Sequence, residues 1–246
     1  MAVIAVYSVK GGVGKTTLAA NLAWCASQTG AWSTLLWDLD AAGGAAFLLG
    51  VDVPQKKVAA SVFARDHSPA SLIVNTPYPA LDLLPADRSL WALDAQLTAL
   101  GKKRRLAKLT QALGKHYPRI ILDCPPVLNE ISAQAMRAAD VVIVPLPPSP
   151  LSARAFATVA EAVRGAGKRH PPMLPVLAMV DRRRTLHREA IAANPDWPRI
   201  PLSSALEQCA VRRAPIGAFA GASESAREMT RRWAAIERKL KQRRAA

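Results

Sequence analysis

The first thirty residues contain the pattern that most limits how this chain can fold: an apolar segment, a glycine-rich turn and a helix-forming segment. Residues 2–7 are apolar and rich in β-branched side chains, as is typical of a fully buried parallel strand. Helix-forming residues follow from Thr17 to Gln28. Residues 10–17 lie between them and read Lys-Gly-Gly-Val-Gly-Lys-Thr-Thr. Strand, turn and helix in this order are the context that a phosphate-binding P-loop requires.

Each residue type in this turn has a chemical reason to be there. Gly11, Gly12 and Gly14 permit positive φ angles, so consecutive N–H groups can approach phosphate oxygens. The start of the following helix adds partial positive charge. Lys15 brings an ammonium to the outer phosphates, and the Thr16 hydroxyl is a ligand for Mg²⁺. We therefore predict a nucleoside triphosphate site with Mg²⁺, formed by Gly11, Gly12, Val13, Gly14, Lys15, Thr16 and Thr17.

Carboxylates follow two further predicted strands. Asp38 and Asp40 come after the apolar segment 33–37, and Asp123 follows residues 119–122. The carboxyl ends of strands in an open α/β sheet border the phosphate crevice. We expect one carboxylate of the first pair to face Mg²⁺ and the other to face the attacking water. We expect Asp123 to hold Mg²⁺ through a water molecule. Plain strand-ending carboxylates are the alternative.

Lys10 distinguishes this loop, because the residue that opens an ordinary P-loop has no phosphate to reach in its own subunit. Residues 10–17 resemble the deviant Walker A loop of the ParA and MinD ATPases, which reads Lys-Gly-Gly-x-Gly-Lys-Thr-Thr. The resemblance implies that Lys10 crosses a dimer interface to ATP held by the partner, so that dimerisation depends on ATP. A solvated loop lysine is the alternative for Lys10.

The resemblance also implies roles for the acidic residues. Asp38 would belong to the magnesium and switch region, and Asp40 would position or activate the hydrolytic water. The family usually continues Pro-Gln-Gly after this pair, whereas residues 41–44 read Ala-Ala-Gly-Gly, so we expect a more flexible switch loop. The predicted catalytic residues are Lys10, Lys15 and Asp40, and the predicted metal ligands are Thr16, Asp38 and Asp123.

The whole chain fits one α/β domain. It has 246 residues, of which half are hydrophobic, and no repeat or low-complexity linker divides it. Strand-like and helix-like segments alternate, which indicates a doubly wound, mostly parallel sheet flanked by helices. We predict a single ParA-like P-loop ATPase domain over residues 1–246, with a basic helix at about 224–244. The remaining predicted strands are 81–84, 141–145 and 174–180, and the remaining helices are 105–113, 132–139, 151–164, 186–193 and 224–240.

The cysteines and the start of the sequence indicate the cellular compartment in which the protein is expected. Cys25, Cys124 and Cys209 are odd in number and lack metal-ligand spacing, so we expect neither a disulfide framework nor a zinc site. The sequence begins directly with a strand and contains no apolar segment long enough to span a bilayer. A cytoplasmic location is the expectation.

The formal net charge is +15, from 33 basic and 18 acidic side chains. Residues 1–123 contribute +5 and residues 124–246 contribute +10. Such an excess favours a polyanionic partner, because neutralised phosphates release their counterions. No motif for base readout is evident, so nonspecific DNA is the expected partner, with a solvated surface of mixed charge as the alternative. The basic clusters are residues 102–105, 168–169, 182–184, 212–213, 231–232 and 238–244.

The similarity to ParA proteins extends over nearly the whole chain and is weakest at residues 45–80 and 194–198. It implies that Arg183, Arg184, Arg212 and Arg213 bind nonspecific DNA in the ATP-bound dimer. The arginine after the strand at 174–180 could instead pair with Asp181 or contact the nucleotide. The resemblance further implies nucleoid association, release of DNA after hydrolysis, and a ParB-like activator or cargo adaptor. A plasmid, a chromosome or a large protein complex would be the cargo.

Three other functions stay open. A MinD-like membrane regulator would use the last helix, where Met229, Trp233, Ile236 and Leu240 recur at helical spacing. Acidic residues reduce the positive charge of that helix. We therefore expect it to pack against the sheet, and we expect no membrane binding. A BcsQ-like regulator of polysaccharide synthesis would share the ATPase core. A P-loop ligase of the dethiobiotin or cobyrinate type would require neither Lys10 nor the large positive charge.

Overall fold

The computed structural model describes residues 1–30, 32–53, 58–63, 68–99, 103–165 and 170–245. They form one eight-stranded sheet in the order β3-β4-β2-β5-β1-β6-β7-β8, in which only the β3–β4 pair is antiparallel. The predicted mostly parallel sheet is thus confirmed. The strands are β1 Ala2–Val6, β2 Thr34–Asp38, β3 Val74–Asn75, β4 Leu81–Leu84, β5 Arg119–Asp123, β6 Val141–Leu146, β7 Met173–Val180 and β8 Arg199–Pro201.

Helices cover both faces of this sheet, as the alternating pattern predicted. Two short 3-10 helices, at Ala59–Phe63 and Pro69–Leu72, complete the described elements. The α-helices are α1 Lys15–Thr29, α2 Gly44–Leu48, α3 Leu90–Ala99, α4 Arg105–Leu113, α5 Glu130–Ala138, α6 Pro150–Gly165, α7 Thr185–Ala193, α8 Ser204–Arg212, α9 Ile216–Ala220 and α10 Glu224–Ala245.

The central strands are buried on both faces, which explains their continuous apolar sequences. In β1, Val3 and Ala5 pack into the layer that includes α3 to α6. Ala2, Ile4 and Val6 point the other way, into the layer that includes α1 and α10. This alternation follows from the two-residue period of a strand. β1 lies between β5 and β6, and the loops after all three strands therefore meet at one edge of the sheet. We call it the phosphate edge.

The last helix closes one face of the protein. Met229, Trp233, Ile236 and Leu240 are each at most 5% exposed and pack into the same layer as α1. The packing that the sequence analysis favoured for this stripe is confirmed. Within the residues that the structure describes, no helix is long and apolar enough to cross a bilayer.

A buried ion pair ties α10 to the middle of the sheet. The Arg119 guanidinium, at the start of β5, donates to both carboxylate oxygens of Glu237 at 2.6 and 2.8 Å. It also donates to the Pro118 carbonyl and lies 4.5 Å from the centre of the Trp32 ring. Each of the three guanidinium nitrogens donates a hydrogen bond, so this pair holds α10 against the strand that ends at Asp123.

Cys25, Cys124 and Cys209 are buried and free. Lys102, Lys168 and Arg169, which belong to two of the predicted basic clusters, lie outside the described residues.

Candidate functional site

The glycine-rich turn forms an open cradle between β1 and α1. Gly12 and Gly14 adopt left-handed conformations, with φ of 68° and 82°, and Gly14 is the residue that caps α1. A Cβ atom at Gly11 or Gly12 would meet no atom within 4 Å, so the space next to these glycines is free. The first N–H groups of a helix have no partner within the helix. The turn therefore presents free space and N–H donors together, as phosphate binding requires.

The two lysines of this turn are directed to different places. Lys15 is buried, and its ammonium donates a hydrogen bond to the backbone carbonyl of Lys10 at 3.0 Å. Burial lowers the pKa of Lys15, while Asp123 and Asp40 act in the opposite direction. The Lys10 ammonium instead contacts the hydroxyl of Ser152 in α6, at 3.3 Å. Lys15 thus belongs to the cradle, and Lys10 lies against another element.

Asp123 ends β5 beside this cradle and is fully buried. Neither of its carboxylate oxygens accepts a hydrogen bond of ordinary length from a described residue, although the Thr16 side chain is close enough to lower the pKa of this carboxyl. Burial raises the pKa of Asp123 to about 7; Asp40 also raises it, whereas Thr16 and Lys15 lower it. Buried carboxylates normally have partners, so this one is suited to a cationic ligand or to the hydration shell of one.

Asp38 and Asp40 have different environments. Asp38 pairs with Asp123 across β2 and β5 and is fully buried. Its two oxygens accept the backbone N–H groups of Asp40 and Ala45, both at 3.0 Å. Burial, and then the neighbouring Asp123, raise the pKa of Asp38 well above its ordinary value. Asp40 is only half-buried and accepts the N–H of Ala42 at 3.1 Å. Asp38 therefore anchors the loop that carries Asp40.

The same loop contains residues 41–44, which read Ala-Ala-Gly-Gly where the family usually continues Pro-Gln-Gly. Gly43 is left-handed, with φ of 69°, and precedes α2. At Gly44, a Cβ atom would lie 3.2 Å from the Thr16 methyl group. The start of α2 thus approaches the P-loop more closely than a larger residue would permit. The loop for which we expected greater flexibility has a defined set of hydrogen bonds, to Asp38 and to Asp40.

These residues fit a magnesium ion bound together with a nucleotide. The described residues contain no group of three or more His, Cys, Asp or Glu side chains arranged to hold a metal by themselves. Mg²⁺ at phosphotransfer sites uses one or two protein ligands, water and the phosphates of the substrate. The unpartnered oxygens of Asp123, next to Thr16 and the open cradle, are consistent with this kind of site.

An apolar cavity of about 140 Å³ borders the other side of the cradle. Val13 and Thr17 line it from the P-loop, and Met179, Ile200 and Leu206 line it from β7, β8 and α8. Met179 has a positive φ of 55°, which is unusual for a residue with a long side chain. The P-loop motif predicted Val13 and Thr17 as site residues, but no motif predicted that Met179 and Leu206 would meet them, because these two come from elements that are distant in sequence.

The four arginines predicted to bind DNA differ in their contacts. Arg184 and Arg212 are exposed, and no ion pair joins either of them to a described residue. Arg183 is exposed but forms a two-point ion pair with Asp181, the alternative that the sequence left open. Arg213 is half-buried, pairs with Asp52 and stacks on Phe47. Arg183 and Arg184 follow β7 at the phosphate edge.

Comparison with known proteins places this geometry in a family. The model of the AAA domain family AAA_31 matches residues 1–175. The chain belongs to this family. Its relatives and structural neighbours identify it as a member of the ParA/MinD group of P-loop ATPases.

Two curated relatives show the level of similarity. The chromosome partitioning protein ParA of Caulobacter vibrioides is 35% identical over 148 residues, which are 58% of this chain and 55% of that protein. The sporulation initiation inhibitor protein Soj of Bacillus subtilis is 32% identical over 146 residues, which are 58% of this chain and 57% of that protein. The chain thus spans about half the length of the curated relatives it matches.

Solved structures confirm the fold over almost the whole chain. A Cyanothece McdA variant in complex with ATP has a TM-score of 0.83 at 22% identity and covers 95% of each chain. The cell division ATPase MinD of Pyrococcus furiosus has a TM-score of 0.80 at 23% identity, covering 96% of this chain and 98% of MinD.

A third neighbour comes from a biosynthetic enzyme. Cobyrinic acid a,c-diamide synthase of Mycobacterium smegmatis, with a bound ATP analogue and magnesium, has a TM-score of 0.82 at 26% identity. The match covers 98% of this chain and 96% of the synthase.

Proposed function

We propose that this chain is a Mg²⁺-dependent ATPase that forms a homodimer when ATP binds, binds DNA without sequence preference as that dimer, and releases it after hydrolysis. Residues 1–246 would act as one domain, in the cytoplasm and on the nucleoid, with a ParB-like or cargo-adaptor protein as activator. The cargo would be a plasmid, a chromosome or a large protein complex. Lys10 is the residue that supports the proposal. Lys15 already supplies a lysine to the cradle, whereas the Lys10 ammonium lies outside it against α6, so Lys10 is available for a different role.

Within one subunit, the P-loop residues would bind the phosphates. The N–H groups of residues 11–17 would bind phosphate oxygens in the free space above Gly11 and Gly12, and the buried Lys15 would exchange the Lys10 carbonyl for a phosphate oxygen. Thr16 and Asp123 would hold Mg²⁺, which supplies charge neutralisation at the outer phosphates. The apolar cavity lined by Met179 and Ile200 is large enough to take part of a planar base.

Hydrolysis would depend on the loop after β2. Asp40 would orient the attacking water, and its own position depends on Asp38, whose carboxylate accepts the Asp40 N–H. Asp38 therefore acts through the backbone of the switch loop as well as through its charge near the metal. Lys10 of one subunit would reach the phosphates held by the other, where an additional cation stabilises the negative charge of the transition state.

DNA binding would use the positive charge of the second half of the chain. Dimerisation would join two basic surfaces. The dimer would then bind a polyanion with higher avidity than the monomer, although each surface makes the same contacts with the polyanion. Arg184 and Arg212 are the best placed of the predicted residues, since their charges have no acidic partner among the described residues. Arg183 and Arg213 already have such partners.

The test is the mass of the protein in solution. Light scattering is measured with a nonhydrolysable ATP analogue, with ADP and without nucleotide, for the wild type, Lys10→Ala and Lys115→Ala. Lys115 is an exposed lysine far along the sequence from the P-loop and serves as the matched control. We expect doubling of the mass with the analogue for the wild type and the control only. An unchanged mass for the wild type would refute the proposal.

DNA retention completes the test. Retention on nonspecific DNA is measured in the same three nucleotide states at several salt concentrations, together with Asp40→Ala, which we expect to remain dimeric with ATP. Equal retention in all states would leave only a basic surface and no switch.

The structural likeness to the cobyrinic acid a,c-diamide synthase favours one second candidate, an ATP-dependent ligase. Such an enzyme would hydrolyse ATP at a rate that depends on a small-molecule acid. The ATPase rate with and without cobyrinic acid and an amide donor distinguishes the two functions, because a partitioning ATPase responds to DNA and to its activator instead.

A further inference from the structure

A second apolar cavity, with a volume of about 300 Å³, lies between α10 and the sheet. We call it the α10 cavity. An apolar protein cavity of about 150 Å³ holds a benzene molecule, so an unbranched chain of about ten carbon atoms fits into about twice that volume. The side chains that line the α10 cavity are mostly aliphatic and come from α1, three strands and α10; they include Leu22, Ile143, Leu174, Val176, Ile200 and Ile236.

Two cationic side chains of α10, Arg232 and Lys239, also line this cavity. The Arg232 guanidinium donates to Glu228 through Nη2, but its Nε atom is buried and has no hydrogen-bond partner among the described residues. Lys239 is exposed, and no ion pair joins it to a described residue. Asp196 is the one acidic side chain among the described residues of the lining. A buried N–H group without an acceptor costs free energy, so an anionic acceptor is favoured beside Arg232.

The segment between α7 and β8 forms one wall of the α10 cavity through Asp196, Trp197 and Pro198. The Trp197 ring contacts the Phe156 ring edge-on, with the ring centroids 5.5 Å apart, which holds the indole in place. These residues belong to the segment 194–198, where the similarity to ParA proteins is weak. This wall is therefore a feature of this chain that the family resemblance does not imply.

A polar cavity of about 520 Å³ adjoins the α10 cavity. Trp197, Pro198 and Arg232 line both of them, together with Asp196. A ligand with one apolar and one polar end could therefore place its chain in the α10 cavity and its polar end where the two cavities meet. The charged residues that line the polar cavity are Arg182, Asp196, Arg199, Glu224, Glu228 and Arg232.

We propose that the α10 cavity binds an aliphatic monocarboxylate of about ten carbon atoms. Its chain would lie against the aliphatic side chains of α1, the strands and α10, where burial of apolar surface favours binding. Its carboxylate would accept the Nε–H of Arg232 and lie within the field of Lys239. This binding requires no nucleotide and no second subunit, so it is independent of the function proposed above.

The α10 cavity is separate from the apolar cavity beside the P-loop, although the two have a common wall. Leu18 and Ile200 line both of them. A probe with an apolar chain could therefore enter either cavity. Experiments with a nonhydrolysable ATP analogue present and absent distinguish the two positions, because the analogue would occupy the cavity beside the P-loop.

The main experiment is calorimetric titration of the wild type with decanoate, below the concentration at which decanoate forms micelles. We expect saturable binding of one decanoate per chain, with the ATP analogue and without it. The uncharged probe 1-decanol has the same chain length and should bind at least about tenfold more weakly, because it brings no negative charge to Arg232.

Two pairs of variants locate the site. Ala235 lines the cavity and Ala234 is exposed in the same helix, so Ala235→Phe should raise the dissociation constant of decanoate at least about fivefold while Ala234→Phe leaves it unchanged. Arg232→Gln should raise it at least about tenfold. Arg231→Gln is the matched control, because Arg231 pairs with the same Glu228 but lines neither cavity. If Ala235→Phe does not fold, the arginine pair decides the question.

Four results would overturn the proposal. The first is the absence of saturable decanoate binding by the wild type, and the second is an equal affinity for 1-decanol. The third is the loss of binding when the ATP analogue is added, which would place decanoate beside the P-loop. The fourth is an equal effect of the two variants within a pair, which would place decanoate outside the α10 cavity.

Discussion

Strand β5 has a buried charge at each end, and the two ends differ in how that charge is accommodated. Arg119, at the start, donates hydrogen bonds to both Glu237 oxygens and to a backbone carbonyl, and it lies against the Trp32 ring. Asp123, at the other end, has no hydrogen-bond partner on either oxygen among the described residues. The two residues are four positions apart and are both at most 5% exposed.

The difference shows how a single strand serves structure and function. A buried charge with all its partners contributes to one fixed arrangement, whereas a buried charge without partners costs stability unless a ligand arrives. Functional sites commonly contain such groups with displaced pKa values. The edge at Arg119 is therefore structural, and the edge at Asp123 is the one prepared for a ligand.

The largest expected effect tests the ligand role of Asp123. Asp123→Asn keeps the shape of the side chain but removes its negative charge, and we expect the rate of ATP hydrolysis to fall by about 100-fold or more. Steady-state phosphate release measures this. Glu161→Gln, at an exposed site, is the control. A decrease below about threefold would show that the carboxylate is not part of the catalytic site.

The opposite edge should respond through stability. Glu237→Ala leaves the Arg119 guanidinium buried without its acidic partner, so we expect the free energy of unfolding to fall by about 3 kcal/mol. Urea denaturation measures this, again with a substitution at Glu161 as control. A loss below about 0.5 kcal/mol would mean that Trp32 and the Pro118 carbonyl are sufficient for Arg119.

The pH dependence of stability sharpens the comparison. Burial raises the pKa of Asp123 to about 7, above the unfolded value near 3.8. The folded state therefore holds a proton that the unfolded state has already lost. Stability contributed by this group falls as pH rises from about 4 through about 7. We expect Asp123→Asn, without nucleotide, to exceed the wild type in stability by on the order of 4 kcal/mol at pH 8 and by little at pH 4. If the stabilities of the wild type and Asp123→Asn depended on pH in the same way, Asp123 could not be a buried carboxyl group with a raised pKa.

The smallest effect concerns the exposed arginines. Arg184→Ala and Arg212→Ala should each reduce the slope of log affinity against log salt for nonspecific DNA by about 1. Arg183→Ala should reduce it less, because Asp181 already neutralises that side chain. Fluorescence anisotropy in the presence of ATP measures the slopes. If all three variants had the same slope, the ion pair between Arg183 and Asp181 would have no effect on DNA binding.

The sequence predicted those parts of the structure that depend on a short continuous stretch of residues. The P-loop and the carboxylates at 38, 40 and 123 lie within or directly after short segments of clear character, and the structure places all of them at one edge. Strands β3 and β8 and helices α2, α3, α8 and α9 were not predicted. The β8 strand has only three residues, too few for a periodic pattern to be visible.

Contacts between distant residues could not be predicted either. Glu237 is 118 positions from Arg119, and Ser152 is 142 positions from Lys10. No spacing rule joins such residues, since the order of strands in the sheet decides which of them meet. The resemblance to the ParA family gave roles to the P-loop residues but gave no partner to either Lys10 or Arg119 within the chain.

The close approach of Gly44 to Thr16 offers a means of chemical control. A cysteine at position 44 would put a thiol next to the Thr16 side chain, and small or bulky reagents attached to this thiol would separate α2 from the P-loop by graded amounts. If inhibition of ATP hydrolysis increases with the size of the attached group and reverses when the group is removed, the absence of a side chain at position 44 becomes a means of adjusting the rate.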